Sequence, residues 1–248
     1  MARRDSVTLN LGSLTVRINN WEIMLMSTQT ISQAESIVEM IDRMPNDGIL
    51  IEHGVSWYDY EELLEAVGEA RGLRISYDEG TLQVMTLSSR HERYTWLIGQ
   101  LVGVLSTRRR IRVLYYGSST MKKQRKQKGV EPDACFYVQN AQLVGTKDEI
   151  DFSTDPPPDI AVEIDLHRDS ISKFSIYAGL GVPEIWRYDG DSLTIYHLRE
   201  GLYQPSEASQ ALPLITGTVL TEFLARTSNE DQYDILIAFE DWLKTQQQ

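Results

Sequence analysis

Two carboxylates interrupt otherwise apolar runs. Pro158-Asp159-Ile160-Ala161-Val162-Glu163-Ile164-Asp165 has the pattern of a buried strand except at Glu163, where an unpaired buried charge is costly. About thirty residues earlier, Val130-Glu131-Pro132-Asp133-Ala134-Cys135-Phe136-Tyr137-Val138 opens a second strand with an aspartate directly after a proline. Adjacent strands would aim Asp133 and Glu163 at one point. Hard oxygen ligands offset the charge of a divalent cation while it offsets theirs, so such a pair suits Mg²⁺ or Mn²⁺. Side chains two apart on a strand share a face, which lets Asp165 join Asp133 and Glu163 as a third metal ligand. A cation held this way orients a water, lowers its pKa and neutralises a phosphodiester in the transition state. Lys173 follows the Glu163 strand closely enough to reach back to its end, where an ammonium positions the water or stabilises developing charge.

Each residue also has an ordinary structural explanation. Glu163 can be paired with an arginine in a buried network, Asp133 can serve a turn after Pro132, and Lys173 can be a solvated helix lysine. His91 and His167 lack metal-ligand spacing. The dipeptide His91-Glu92 has no histidine three residues after the glutamate, so the zinc-protease motif is absent. Tyr94, Trp96, Tyr177 and Trp186 read as core or interface aromatics.

The elements that must position these groups follow from periodicity and turn residues. Residues 7–18 alternate and residues 31–44 carry Ile31, Ala34, Val38 and Ile41 on one helical face. A helix is expected over 58–70, then strands over 73–77 and 82–87 joined by the turn Asp78-Glu79-Gly80-Thr81. A long helix starts at Ser88 or Ser89, with Glu92 at the capping-box position relative to Ser89. A strand over 111–116, a basic segment, the Asp133 strand, a polar loop and the Glu163 strand come next. Asp169 or Ser170 caps a helix ending at Gly179, Gly181 and Pro183, and strands over 184–188 and 191–198 flank the hairpin turn Asp189-Gly190. Helices over 220–226 and 231–243 close the chain. The central order of helix, three strands, helix and strand requires a mixed sheet with helices packed on it, an α/β core.

The chain has 248 residues, 42% of them hydrophobic, which suffices for a sizeable core. It has no apolar run of membrane-spanning length, and Arg3-Arg4 leads into Asp5 rather than an apolar signal segment, so a cytoplasmic protein is expected. The single cysteine, Cys135, excludes an internal disulfide framework, and four scattered histidines argue against structural zinc. The net charge of -12 conceals a basic tract. Between residues 108 and 128 lie Arg108, Arg109, Arg110, Arg112, Lys122, Lys123, Arg125, Lys126 and Lys128, with no acidic residue among them. Such a tract is either a solvated loop or a patch that guides a polyanion while the acidic remainder repels it.

Pro132-Asp133 followed by Glu163, in that element order, resembles the PD-(D/E)XK nuclease superfamily. Tyr77-Asp78-Glu79-Gly80, His91-Glu92, Glu131-Pro132-Asp133, the 158–164 run and the segment from Lys173-Phe174-Ser175 to Glu184-Ile185-Trp186 resemble more specifically the Uma-two restriction endonuclease family, over residues 49–198. The resemblance implies a restriction endonuclease-like core over 49–200, preceded by an N-terminal extension (1–48) and followed by a C-terminal helical segment (201–248) packed on the same domain. It implies Mg²⁺- or Mn²⁺-dependent hydrolysis of DNA phosphodiesters, with Asp133 and Glu163 as ligands and no organic cofactor. Where the superfamily pattern has a lysine two residues after the glutamate, this chain has Asp165, which points to Lys173 as the displaced lysine. Glu92 is a further candidate for the same cleft. The basic tract would grip DNA, and a homodimer would cut both strands of a duplex. Two other readings stay open: a nuclease-fold DNA-binding or regulatory module that cuts nothing, and a carboxylate pair doing acid–base work on a sugar, which leaves the basic tract unexplained.

Overall fold

The computed structural model describes residues 6–11, 14–19, 32–68, 72–166 and 172–246. It is a mixed α/β structure with two larger sheets and a separate hairpin. The hairpin pairs β1 (Ser6–Leu11) with β2 (Leu14–Asn19). The five-stranded sheet has the order β3 (Ile49–His53), β5 (Thr81–Thr86), β4 (Leu73–Asp78), β8 (Lys128–Val130), β7 (Met121–Lys123), antiparallel throughout. Helices α1 (Gln33–Ile41) and α2 (Trp57–Val67) cover it by burying Ala34, Ile37, Trp57, Tyr60 and Leu63 against Ile75, Tyr77, Leu82 and Val84.

The six-stranded sheet has the order β13 (Leu202–Ser206), β12 (Leu193–Arg199), β11 (Glu184–Tyr188), β10 (Ile160–Ile164), β9 (Ala134–Tyr137), β6 (Leu114–Tyr115). Only β10 and β11 are parallel, and a parallel pair needs a crossover, supplied here by α5 (Phe174–Leu180). The alternation along β10 divides the core. Ile160, Val162 and Ile164 pack under α3 (Ser89–Arg109), α6 (Gly217–Ala225) and α7 (Gln232–Thr245), whereas Ala161 packs with Ile176, Tyr177 and Leu180 of α5. Glu163 therefore faces α5.

The expected order of helix, three strands, helix and strand is present as α3, β6, β9, β10, α5 and β11. Several boundaries differ from the sequence reading for identifiable reasons. The strand expected over 111–116 shrinks to Leu114–Tyr115 because Arg110 is left-handed and the Ile111 N–H still closes the helix on the Ser106 carbonyl. The basic segment is not a plain loop: β7 and β8 form a hairpin within it, too short for apolar periodicity to show. A one-turn helix, α4 (Ala141–Val144), lies in the loop before Pro158. The crossover helix begins at Phe174 with Lys173 in the N-cap position, and the expected caps Asp169 and Ser170 lie outside the described residues. The segment after residue 200 opens with β13, an edge strand, ahead of its helices. Among the described residues no helix is long and apolar enough to cross a membrane.

Candidate active site

The site forms where the chain passes from one large sheet to the other. The Glu131 N–H donates to Ile75 O at 3.0 Å in the five-stranded sheet, and the Asp133 N–H donates to Val162 O at 3.0 Å in the six-stranded one. Pro132 stands between them with no N–H to satisfy, so the switch of partner leaves no orphan donor. The antiparallel register pairs Ala134 with Val162; continued by one residue, it sets Asp133 opposite Glu163 with both side chains on one face.

Asp133 is fully enclosed, and its oxygens are taken. Oδ1 accepts from Arg74 Nε at 3.0 Å, and Oδ2 accepts from the Ile164 N–H at 2.7 Å. The ring of buried His91 brings Nε2 to 3.2 Å from Oδ2. Glu163 Oε2 accepts from Lys173 Nζ at 2.7 Å, and Oε1 accepts from the Tyr177 hydroxyl. Lys173 and Tyr177 are four residues apart at the start of α5, so they meet the carboxylate from one helix face.

Burial and charge pull these groups in opposite directions. Burial pushes Glu163 above the usual glutamate range, with Lys173 pulling back and Asp133 adding to the push. Burial alone would also raise Asp133, but His91, Lys173 and Arg74 outweigh it and hold that carboxyl below its usual value. Burial alone would lower Lys173, but Glu163 and Asp133 outweigh it and keep it a cation. One carboxyl that resists ionising beside one that favours it is an arrangement often found where chemistry is done.

The donor chemistry bears on a cation. Asp133 and Glu163 offer hard oxygens on one face, while among the described residues no three His, Cys, Asp or Glu side chains converge as a ready-made cage. Such a pair fits an ion of the Mg²⁺ kind, which takes one or two carboxylates and fills its remaining positions with water and substrate oxygens.

A family model described as "Putative restriction endonuclease", Uma2, matches residues 57–245. The chain belongs to the Uma2 family. Among solved structures, the crystal structure of a "putative nuclease belonging to DUF820" from Anabaena variabilis is similar at 14% identity and a TM-score of 0.44, over 60% of this chain and 90% of that one. No curated protein matches the chain.

In this Uma2 chain the remaining candidates are placed unevenly. Asp165 lies on Glu163's side of the strand, and both line a small cavity of about 130 Å³ with Lys173. Arg187, the β11 partner of Glu163, turns to Asp165 and donates from Nε at 3.1 Å. The N-cap of α3 is Ser88, which accepts from the His91 N–H, so Glu92 is displaced from the capping-box position expected for Ser89. Glu92 instead faces Arg74, 3.7 Å from its guanidinium.

The basic tract is not gathered into one free patch. Arg108 pairs with Glu240 at 2.7 Å, Arg109 donates to Leu243 O, Lys122 pairs with Glu61 and Lys128 with Asp78. Lys123 and Lys126 cap α5 through the carbonyls of Leu180 and Gly179. Arg110, Arg112 and Arg125 have no such pairing among the described residues.

Sequence reasoning missed Arg74, Tyr177, His91 and Glu131. Arg74 and Tyr177 each sit at a position that strand or helix periodicity already explains. Glu131 is partly buried, its oxygens accepting from the Ile75 N–H at 3.0 Å and Thr120 Oγ1 at 2.8 Å, and burial raises its pKa. Its adjacency to Pro132-Asp133 is the one signal that marks it.

Proposed function

We propose that this Uma2-family chain is a metal-dependent endonuclease that hydrolyses phosphodiester bonds of DNA, with Mg²⁺ or Mn²⁺ held by Asp133 and Glu163. The observation that carries the proposal is the opposition of these carboxylates across β9 and β10 with the Lys173 ammonium on Glu163. When bound, the cation supplies a polarised water and neutralises charge at the scissile phosphate. The protein's own part is positioning. Arg74 and the Ile164 N–H fix Asp133, while Tyr177 fixes Glu163. Lys173 keeps its proton beside these acids, so it orients the attacking water and stabilises charge growing on the phosphate oxygens. The water oxygen bonds to phosphorus as the bond to one sugar oxygen breaks; the water gives up one proton to solvent and the leaving oxygen gains one from it, so the step consumes one water and no net proton. Asp165, in the same small cavity, is proposed as an additional ligand, and Glu92 as a contributor from the Asp133 side. Two copies of the site in a homodimer would serve the two strands of a duplex.

Supercoiled plasmid incubated in Mg²⁺, Mn²⁺ or EDTA tests the proposal: nicking in either metal and none in EDTA is expected, and an intact plasmid under all conditions refutes it. One observation favours a second reading, a DNA-binding or regulatory module without turnover. The pairs Arg74–Asp133, Lys173–Glu163 and Arg187–Asp165 already balance each carboxylate with a side-chain cation. DNA binding that persists in EDTA with no cleavage in either metal would select it.

A further inference from the structure

A cavity of about 960 Å³ opens beside Asp133, and neither Glu163 nor Lys173 lines it. Its wall carries the carboxylates of Glu92, Glu131 and Asp133 against the single guanidinium of Arg74. Glu131 and Asp133 are occupied by the hydrogen bonds given above, and Arg74 is committed to Asp133. Glu92 is the carboxylate open to the cavity, with its side chain 54% exposed. Ser88, Ser89, Ser118 and Ser119 also line it.

Tyr115 stands at this cavity with 55% of its surface exposed. Its ring lies 5.5 Å from that of buried Phe136, and a Cβ added at Gly99 of α3 would come 4.0 Å from its Cε2. The ring is thus backed by the sheet and the helix on one side while 55% of the residue's surface stays open.

A wall with three carboxylates to one cation repels a phosphate. It suits an uncharged planar ring bearing amine donors, which stacks on an aromatic face and donates to a carboxylate. The volume, near the top of the roughly 300–1,000 Å³ range of small-molecule pockets, leaves ample room for a nucleoside-sized group, and a base can enter only if it is unpaired or turned out of the helix. We propose that this cavity receives one unpaired nucleobase of DNA, stacked on Tyr115 and, where it has an exocyclic amine, donating to Glu92. The preferred substrate then presents unpaired nucleotides beside the phosphate that would meet the cation held by Asp133 and Glu163. The inference deepens the nuclease reading and rests on it for the identity of the ligand.

The test separates the two. Fluorescence anisotropy in EDTA measures binding of one labelled oligonucleotide as a single strand, as a perfect duplex and as a duplex with a bulged nucleotide. The wild type, Tyr115→Ala and Tyr115→Trp are compared, each first shown to keep its thermal midpoint. The expected result is at least about tenfold tighter binding of the single strand and the bulged duplex than of the perfect duplex, lost in Tyr115→Ala and kept in Tyr115→Trp. Equal affinity for all three DNAs, or a preference that survives Tyr115→Ala, overturns the inference. Absence of binding to any DNA overturns the inference, and together with uncut plasmid in Mg²⁺ and Mn²⁺ it overturns the nuclease reading as well. A Tyr115-dependent preference with no cleavage on adding Mg²⁺ leaves the cavity's role standing and removes the nuclease. Cleavage of perfect duplex by wild type and Tyr115→Ala alike does the reverse.

Discussion

At the scale of single residues, Asp133 is where electrostatics and geometry meet. Its carboxyl titrates below the usual aspartate range because His91, Lys173 and Arg74 together outweigh its burial. A carboxyl depressed in the folded state contributes stability above its unfolded pKa and loses it as pH falls through the folded value. The difference in thermal midpoint between wild type and Asp133→Asn should therefore be largest near neutral pH and shrink from about pH 5 to about pH 2. A constant difference across that range would mean that the charge of Asp133 is not what stabilises the fold. Asp133, Glu163 and Lys173 were legible in the sequence because charge in or beside an apolar strand demands an explanation. Arg74 and Tyr177 were not, since a strand arginine and a helix tyrosine satisfy local patterns on their own. Their roles arise only when β4 and α5 are brought against β9 and β10, from 59 residues away for Arg74 and 14 for Tyr177.

At the scale of elements, local capping and close approach decide where the functional groups point. Ser88 caps α3, and this places His91 toward Asp133 and Glu92 toward Arg74. Ser88→Ala should cost about 1 kcal/mol in urea denaturation, whereas Ser89→Ala should cost little, because Ser89 already lies inside the helix. Equal effects would contradict the assigned cap. Gly129 in β8 lies directly beneath Tyr60, and a Cβ there would stand 2.7 Å from the ring's Cζ. Tyr60 is wholly buried and stacked on Tyr77, so Gly129→Ala should destabilise by about 1–3 kcal/mol. A neutral Gly129→Ala would show that this part of the sheet yields easily. The turn residues at Glu79-Gly80 and Asp189-Gly190 announced two hairpins, although the second is closed by residues 189–192 instead of two residues, with Tyr188 paired to Leu193. The hairpin inside the basic tract was hidden because its pairing of Met121 with Val130 offers too few apolar positions to set a period.

At the scale of the whole molecule, the distribution of charge decides how DNA can be held. The basic tract looked like a single grip on phosphates, yet six of its nine residues are turned to partners within the protein. Sequence gives the density of charge along the chain but not which acid each base will meet, and Glu240, Glu61 and Asp78 are all distant in sequence from their partners. With Arg110, Arg112 and Arg125 left for phosphates, the salt dependence of binding to single-stranded DNA should be shallow, with a log–log slope near about -2. A slope of about -4 or steeper would mean that the internal ion pairs open on binding.

The proposed chemistry is centred on the Asp133–Glu163–Lys173 constellation. The most direct measurement is the single-turnover cleavage rate in Mg²⁺ of one labelled DNA by wild type, Glu163→Gln and Lys173→Met, with DNA affinity measured in parallel. Wild-type cleavage is expected to stop in EDTA and to fall by about 100-fold or more in both variants while affinity is retained. Variants that cleave at the wild-type rate would place the chemistry elsewhere in the protein.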